Sequence, residues 1–268
     1  MLDVASVDFA YPGGNPVLSD IAFSVRRGEV LAIVGRNGAG KSTLLRLLNG
    51  LRQPASGTVT VDGLNTADTP VHVLAHHIGT VFQAPEQQIF NAKVHDEIAF
   101  GPRQQGLTGA ALEARIAEVL GRIGLADAAQ LHPLDLDAAA RRLVALGSVL
   151  AMKPPVLLLD EPQRGLDANA MARLEAIVAE EAEAGTCVIL VCHDMDFVAR
   201  RASRVLALAQ GRIAADLPTL DFFTSDELTR KAGVEVPDPV ELARFLGLPP
   251  VLTPSALAAK WLADHRSA

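Results

Sequence analysis

The chain has 268 residues, 49% of them hydrophobic and 21% charged, which excludes a disordered chain and is enough for one large α/β domain plus a small appendage. A formal net charge of -7 gives no general attraction for nucleic acid, and no nucleic-acid partner is expected. Met1-Leu2-Asp3 does not open a signal peptide, and no apolar run approaches the ~20 residues of a spanning helix, so any membrane role is expected to run through a partner.

In chain order, Val4 to Phe9 is β-rich, Pro12-Gly13-Gly14-Asn15-Pro16 is a turn, and Ile21 to Val25 is extended again. Val30-Leu31-Ala32-Ile33-Val34 has the unbroken apolar character of a strand buried on both faces. A glycine-rich loop leads into a helix over Thr43 to Asn49, stopped by Gly50. The stretch from about Leu107 to Leu150 is predicted mainly helical, with Leu112, Ile116, Val119, Leu120 and Ile123 at helical spacing before Gly124. Val156 to Leu159 is the next buried strand. Asp167 caps a helix with Met171, Leu174, Ile177 and Val178 on one face, ending at Gly185. Thr186 to Val191 and Val205 to Leu208 are further buried strands. This alternation predicts a largely parallel sheet. Beyond about Arg212 the pattern weakens, and Pro237, Pro239, Pro249 and Pro250 punctuate short helical pieces. Cys187 and Cys192 flank an apolar run and read as buried, reduced core residues, a local disulfide being the alternative. Reduced thiols fit a cytoplasmic setting.

Gly35-Arg36-Asn37-Gly38-Ala39-Gly40-Lys41-Ser42 matches the P-loop pattern between a predicted strand and a predicted helix, the context the motif requires. Its glycines let backbone amides close around phosphate oxygens at a helix N-terminus. Lys41 is expected to reach the β- and γ-phosphates and the Ser42 hydroxyl to ligate Mg²⁺. Asp160 and Glu161 end a buried strand, where open α/β sheets bind ligands. Asp160 suits a water-mediated Mg²⁺ contact, and Glu161 suits proton acceptance from an attacking water. Solvated or ion-paired carboxylates are the plain alternative.

The order of these motifs resembles the ABC ATPase family over roughly residues 2 to 211. The resemblance implies a P-loop NTPase (RecA-like) α/β core with a mostly parallel sheet in residues 1–211. It also implies an antiparallel β subdomain, a helical subdomain at about residues 84–150, and a small C-terminal extension at 212–268. It implies ATP and Mg²⁺ as cofactors, with Asn37, Gly38, Ala39, Gly40, Lys41, Ser42 and Thr43 around the nucleotide. Gln83 matches the glutamine loop, a metal and water sensor that also contacts the transport partner. Gly165-Leu166-Asp167 resembles the loop that crosses the dimer interface, and His193 the switch histidine at the γ-phosphate. Tyr11 stands where the family places an aromatic ring against adenine, its alternative being a surface-turn aromatic beside Pro12.

Val81 to Phe90, with Glu97-Ile98-Ala99-Phe100-Gly101-Pro102, is similar to the energy-coupling-factor branch, as is, loosely, the stretch beyond Arg212. That branch pairs two ATPases with a membrane coupling subunit and a subunit that captures a vitamin or metal ion. It implies a peripheral position at the cytoplasmic face of the membrane. Gln87, Gln88 and Phe90 then read as part of a docking groove for a coupling helix, or as packing near the glutamine loop.

The family's signature, usually Leu-Ser-Gly-Gly-Gln, falls at Leu136-Asp137-Ala138-Ala139-Ala140, where only the leucine survives. The usual serine donates to the γ-phosphate, whereas a carboxylate repels it. Since ABC dimers are head to tail, a homodimer would carry two damaged sites. A heterodimer with an intact partner would keep this chain's own P-loop hydrolytic, and that pairing is expected. A natural or engineered inactivation that leaves ATP binding without turnover is the other reading. A soluble ABC protein acting in DNA repair or on ribosomes is the third, although no zinc pattern or long heptad run is present.

Overall fold

The computed structural model describes residues 1–265. Strands β1 (Leu2–Ala10), β2 (Pro16–Val25), β4 (Ser56–Val61) and β5 (Leu64–Asn65) form a four-stranded antiparallel sheet in the order β2-β1-β4-β5. A second, six-stranded sheet holds β3 (Val30–Val34), β6 (Ile78–Val81), β7 (Val156–Asp160), β8 (Cys187–Val191), β9 (Arg204–Ala209) and β10 (Arg212–Pro218). Its order is β10-β9-β3-β8-β7-β6. Every pairing in it is parallel except β9 with β10.

Side-chain alternation explains how this second sheet is covered on both faces. On β3, Val30, Ala32 and Val34 enter one hydrophobic cluster while Leu31 and Ile33 enter the other. β7 and β8 divide their apolar residues in the same way. The antiparallel sheet and helix α1 (Lys41–Leu48) share the cluster on one face. The opposite face is packed by α3 (Val94–Gln104), α4 (Gly109–Ile123), α5 (Ala138–Leu150), α6 (Ala168–Glu183) and α7 (Met195–Arg201). A single helical turn, α2 (Val71–Leu74), precedes β6. Asp167 caps α6, its carboxylate accepting from the Ala170 amide at 2.8 Å, a contact worth ~1 kcal/mol. The fold is thus the α/β P-loop NTPase core with its antiparallel and helical additions. Cys187 and Cys192 are buried free thiols, and burial pushes the thiol pKa of both upward.

The C-terminal region departs from the sequence reading at its boundary. β10 lies beyond residue 211, yet it pairs with β9 as the edge of the core sheet. The core sheet therefore runs to Pro218. The helices α8 (Thr219–Thr224), α9 (Asp226–Ala232), α10 (Asp238–Phe245) and α11 (Pro254–His265) follow it. Phe222 and Phe223 of α8 belong to the main core. Ala243, Val251 and Leu257 make a small cluster of their own.

Parallel pairing places the chemistry. Neighbours in register are Val81 with Leu159, Asp160 with Val191, and Ile33 with Val191. The C-terminal ends of β3, β6, β7 and β8 are therefore level, and the segments that follow them open on one edge of the sheet.

Candidate functional site

The segment from Gly35 to Gly40 makes a close turn between β3 and α1. Gly35 has φ 145°, and a Cβ there would run into the Leu208 carbonyl; at Gly40, with φ 104°, it would strike the Leu18 side chain. Only glycine combines this backbone with this proximity. No side chain caps α1, so its first-turn amides remain available as an anion cradle. Lys41 is 7% exposed, its Nζ donating to the Gly35 carbonyl at 2.6 Å and the Arg36 carbonyl at 3.0 Å. Burial lowers its pKa, and the charges of Glu161 and Asp160 oppose that shift.

Asp160, the last residue of β7, is buried. Burial, reinforced by the Glu161 charge and opposed by Lys41 and Arg46, raises its pKa from 3.8 to about 6. Glu161 is also buried and adopts φ 53°, a left-handed conformation uncommon for its residue type. Its amide donates to the Val191 carbonyl at 2.8 Å, which anchors this turn to β8. Its Oε2 accepts from Gln163 Nε2 at 2.8 Å. Among the described residues its buried Oε1 has no hydrogen-bond partner, although His193 Nε2 stands 3.4 Å away.

These groups share a cleft of about 600 Å³ lined by the loop residues, Lys41, Ser42, Thr43, Gln83, Asp160, Glu161 and His193. Most of the residues picked from sequence therefore converge. Ala39 is buried and outside the lining. Tyr11 also stands outside it, tied to the site by a 3.2 Å hydrogen bond between its hydroxyl and Thr43 Oγ1. The Arg52 guanidinium lies 5.6 Å from the Tyr11 ring centroid. Val17, Arg164 and Val191 line the cleft as well, and sequence reading did not place them there.

Among the described residues no group of three His, Cys, Asp or Glu side chains forms a self-sufficient metal site. The donors present are the oxygens of Ser42, Gln83 and Asp160, hard ligands in a cleft wide enough for a triphosphate. That set fits Mg²⁺, which completes its shell with water and phosphate oxygens.

Asp137 caps α5, its carboxylate accepting from the Ala140 amide at 2.7 Å. The acid thus occupies an amide at the positive end of that helix.

Around Gln83 the surface has a second character. Gln88 straps the loop to β6, accepting from the Phe82 amide and donating to the Thr80 carbonyl, both at 3.2 Å. Buried Glu97 of α3 accepts from the Phe90 amide at 3.2 Å, and from the Asn91 amide and side chain at 2.9 Å each. So held, Phe90 is 65% exposed and Phe100 44%, their rings edge to face at 4.8 Å.

The ABC transporter family model matches residues 18–164. A Pyrococcus furiosus protein described only as an ABC transporter ATP-binding protein is 38% identical over 251 residues, 94% of this chain and 95% of that one. The energy-coupling factor transporter ATP-binding protein EcfA of Methanothermobacter thermautotrophicus is 35% identical over 248 residues, 92% of this chain and 80% of that one. Among solved structures, cbiO1 of Clostridium perfringens, part of the ABC transporter complex cbiONQ, superposes with TM-score 0.78 at 30% identity. It covers 92% of this chain and 98% of that one. Loop, paired carboxylates, cleft and relatives agree: the chain belongs to the ABC transporter ATP-binding family and is an ATPase.

Proposed function

We propose that this chain is the ATP-hydrolysing subunit of an energy-coupling-factor type importer for a vitamin or transition-metal ion. In this reading it sits peripherally at the cytoplasmic face of the membrane. There it pairs with a second ATPase whose signature is intact, and with a membrane coupling subunit and a substrate-capture subunit. One observation carries the heterodimer. Lys41, Asp160, Glu161 and His193 are assembled around one cleft, whereas the signature segment presents Asp137 and three alanines. A chain with a complete hydrolytic half and a damaged activating half makes sense beside a complementary partner. The similarity to EcfA and to cbiO1 supports the transporter branch.

In this mechanism the loop amides and Lys41 bind and orient the phosphates, and Tyr11 stacks on adenine at the cleft's edge. Ser42, Gln83 and Asp160 would hold Mg²⁺, which would neutralise phosphate charge. The Glu161 carboxylate accepts the proton of the attacking water, and the electron pair of the breaking P–O bond stays with ADP. His193 donates to the γ-phosphate. Adenine contact, phosphate charge and partner closure together position the reacting atoms. Phe82, Phe90 and Phe100 flank the glutamine loop, so a helix of the coupling subunit docked on them would feel the occupancy of the cleft.

The test is purification from native membranes with identification of the associated chains. A membrane subunit and a second ATPase are expected. Recovery on ribosomes or DNA without a membrane subunit overturns the importer reading. Equal ATP turnover by the isolated homodimer and the reconstituted pair overturns the heterodimer.

A further inference from the structure

Among the described residues, Glu161 has one hydrogen-bond partner on its carboxylate, Gln163. The chain between them dictates the contact. Arg164 returns its amide to the Glu161 carbonyl at 3.2 Å, closing a turn with Pro162 in the second position, where its fixed φ favours such turns. The Leu166 amide bonds the Gln163 carbonyl at 3.2 Å, so the backbone on either side of Gln163 is tied down. Its side chain is thereby folded back over Glu161, and Nε2 reaches Oε2 at 2.8 Å.

That pose is held at a cost. Gln163 Oε1 is buried without a partner, and an orphaned buried acceptor is unfavourable. The amide has only one orientation that serves the carboxylate, since a carboxylate oxygen accepts and only the NH₂ end donates. Oε1 is buried, without a hydrogen-bond partner among the described residues and beside His193, so the bond from Gln163 to Oε2 is what orients the carboxylate.

We propose that Gln163 is a positioning residue for the catalytic carboxylate: its amide clamps Glu161 Oε2 and so fixes the orientation in which the carboxylate meets the attacking water. This rests on Glu161 being the proton acceptor, and the test separates the two ideas. Gln163→Leu keeps the bulk and removes the donor. In the assembly that co-purifies with the chain, Gln163→Leu lowers kcat about tenfold, the size of one charge-assisted hydrogen bond. KM and ATP affinity stay unchanged, because no contact with ATP is lost. In a Glu161→Gln background, single-turnover hydrolysis falls no further when Gln163→Leu is added, since the proton-accepting carboxylate is already gone. Gln163→Thr, too short to reach the carboxylate, repeats the loss should the leucine variant fail to fold. Wild-type kcat in folded Gln163→Leu or Gln163→Thr overturns the proposal, as does an equal loss in both backgrounds, which marks a merely structural role. Wild-type turnover by Glu161→Gln alone instead overturns the assignment of the base.

Discussion

Asp160 is a buried carboxylate beside another carboxylate, and in the metal-free protein that arrangement opposes folding. Its pKa is raised from 3.8 to about 6, a shift of about two units, or roughly 3 kcal/mol at 1.36 kcal/mol per unit. The group lines a cleft open to solvent, so screening reduces this to ~1.5 kcal/mol. Between pH 4 and 6 the native state binds a proton that the unfolded chain has already released. Stability therefore falls as pH rises through that window, and the penalty is complete above it. Asp160→Asn removes the charge and should stabilise the metal-free, nucleotide-free protein at pH 8 by ~1.5 kcal/mol. For a chain of this size that is an increase in Tm of about 3 °C. At pH 4 the advantage should shrink toward zero, because Asp160 is then protonated in the native wild type. Added magnesium and ATP should reverse the order, raising the Tm of the wild type more than that of the variant. Thermal unfolding followed by circular dichroism in chelator, at both pH values and with and without nucleotide, checks each part. An Asp160→Asn protein less stable than wild type at pH 8 without ligand, or equally stabilised at both pH values, refutes the reasoning.

Replacing Asp137 by serine, with glycine at Ala138 and Ala139, should raise homodimer turnover by about a hundredfold, the worth of one oxyanion-type donor; steady-state phosphate release measures it. Glu97→Ala leaves three N–H groups without their acceptor and should cost ~3 kcal/mol, read by denaturant unfolding. His95 bridges Asp96 and Glu113 at 3.3 and 3.0 Å, and the bond to Glu113 leads in raising its pKa. The stabilisation it brings is complete below pH 6.5 and lost as pH climbs through the raised value. His95→Ala should accordingly lower Tm at pH 6 and have little effect at pH 9.

Local sequence carried much of this protein. The apolar runs at Val30–Val34, Val156–Leu159 and Cys187–Val191 are strands because both faces of the central sheet are covered, which leaves no position for a polar residue. The loop from Gly35 to Ser42 was legible because its chemistry needs glycines at fixed spacing, and the Asp167 cap because it acts within four residues. β10 was not legible: Arg212–Pro218 has an irregular burial pattern, as an edge strand with one neighbour permits. Nor was the clip formed by Glu97, or the bond from Gln163 to Glu161. Their partners are chosen by how turns fold back, and any polar residue would look the same in one dimension. Sequence alone thus singled out the groups proposed to meet ATP. The level strand ends of a parallel sheet decided that they meet in one cleft, and the turn from Glu161 to Arg164 decided that Gln163 bonds the Glu161 carboxylate there.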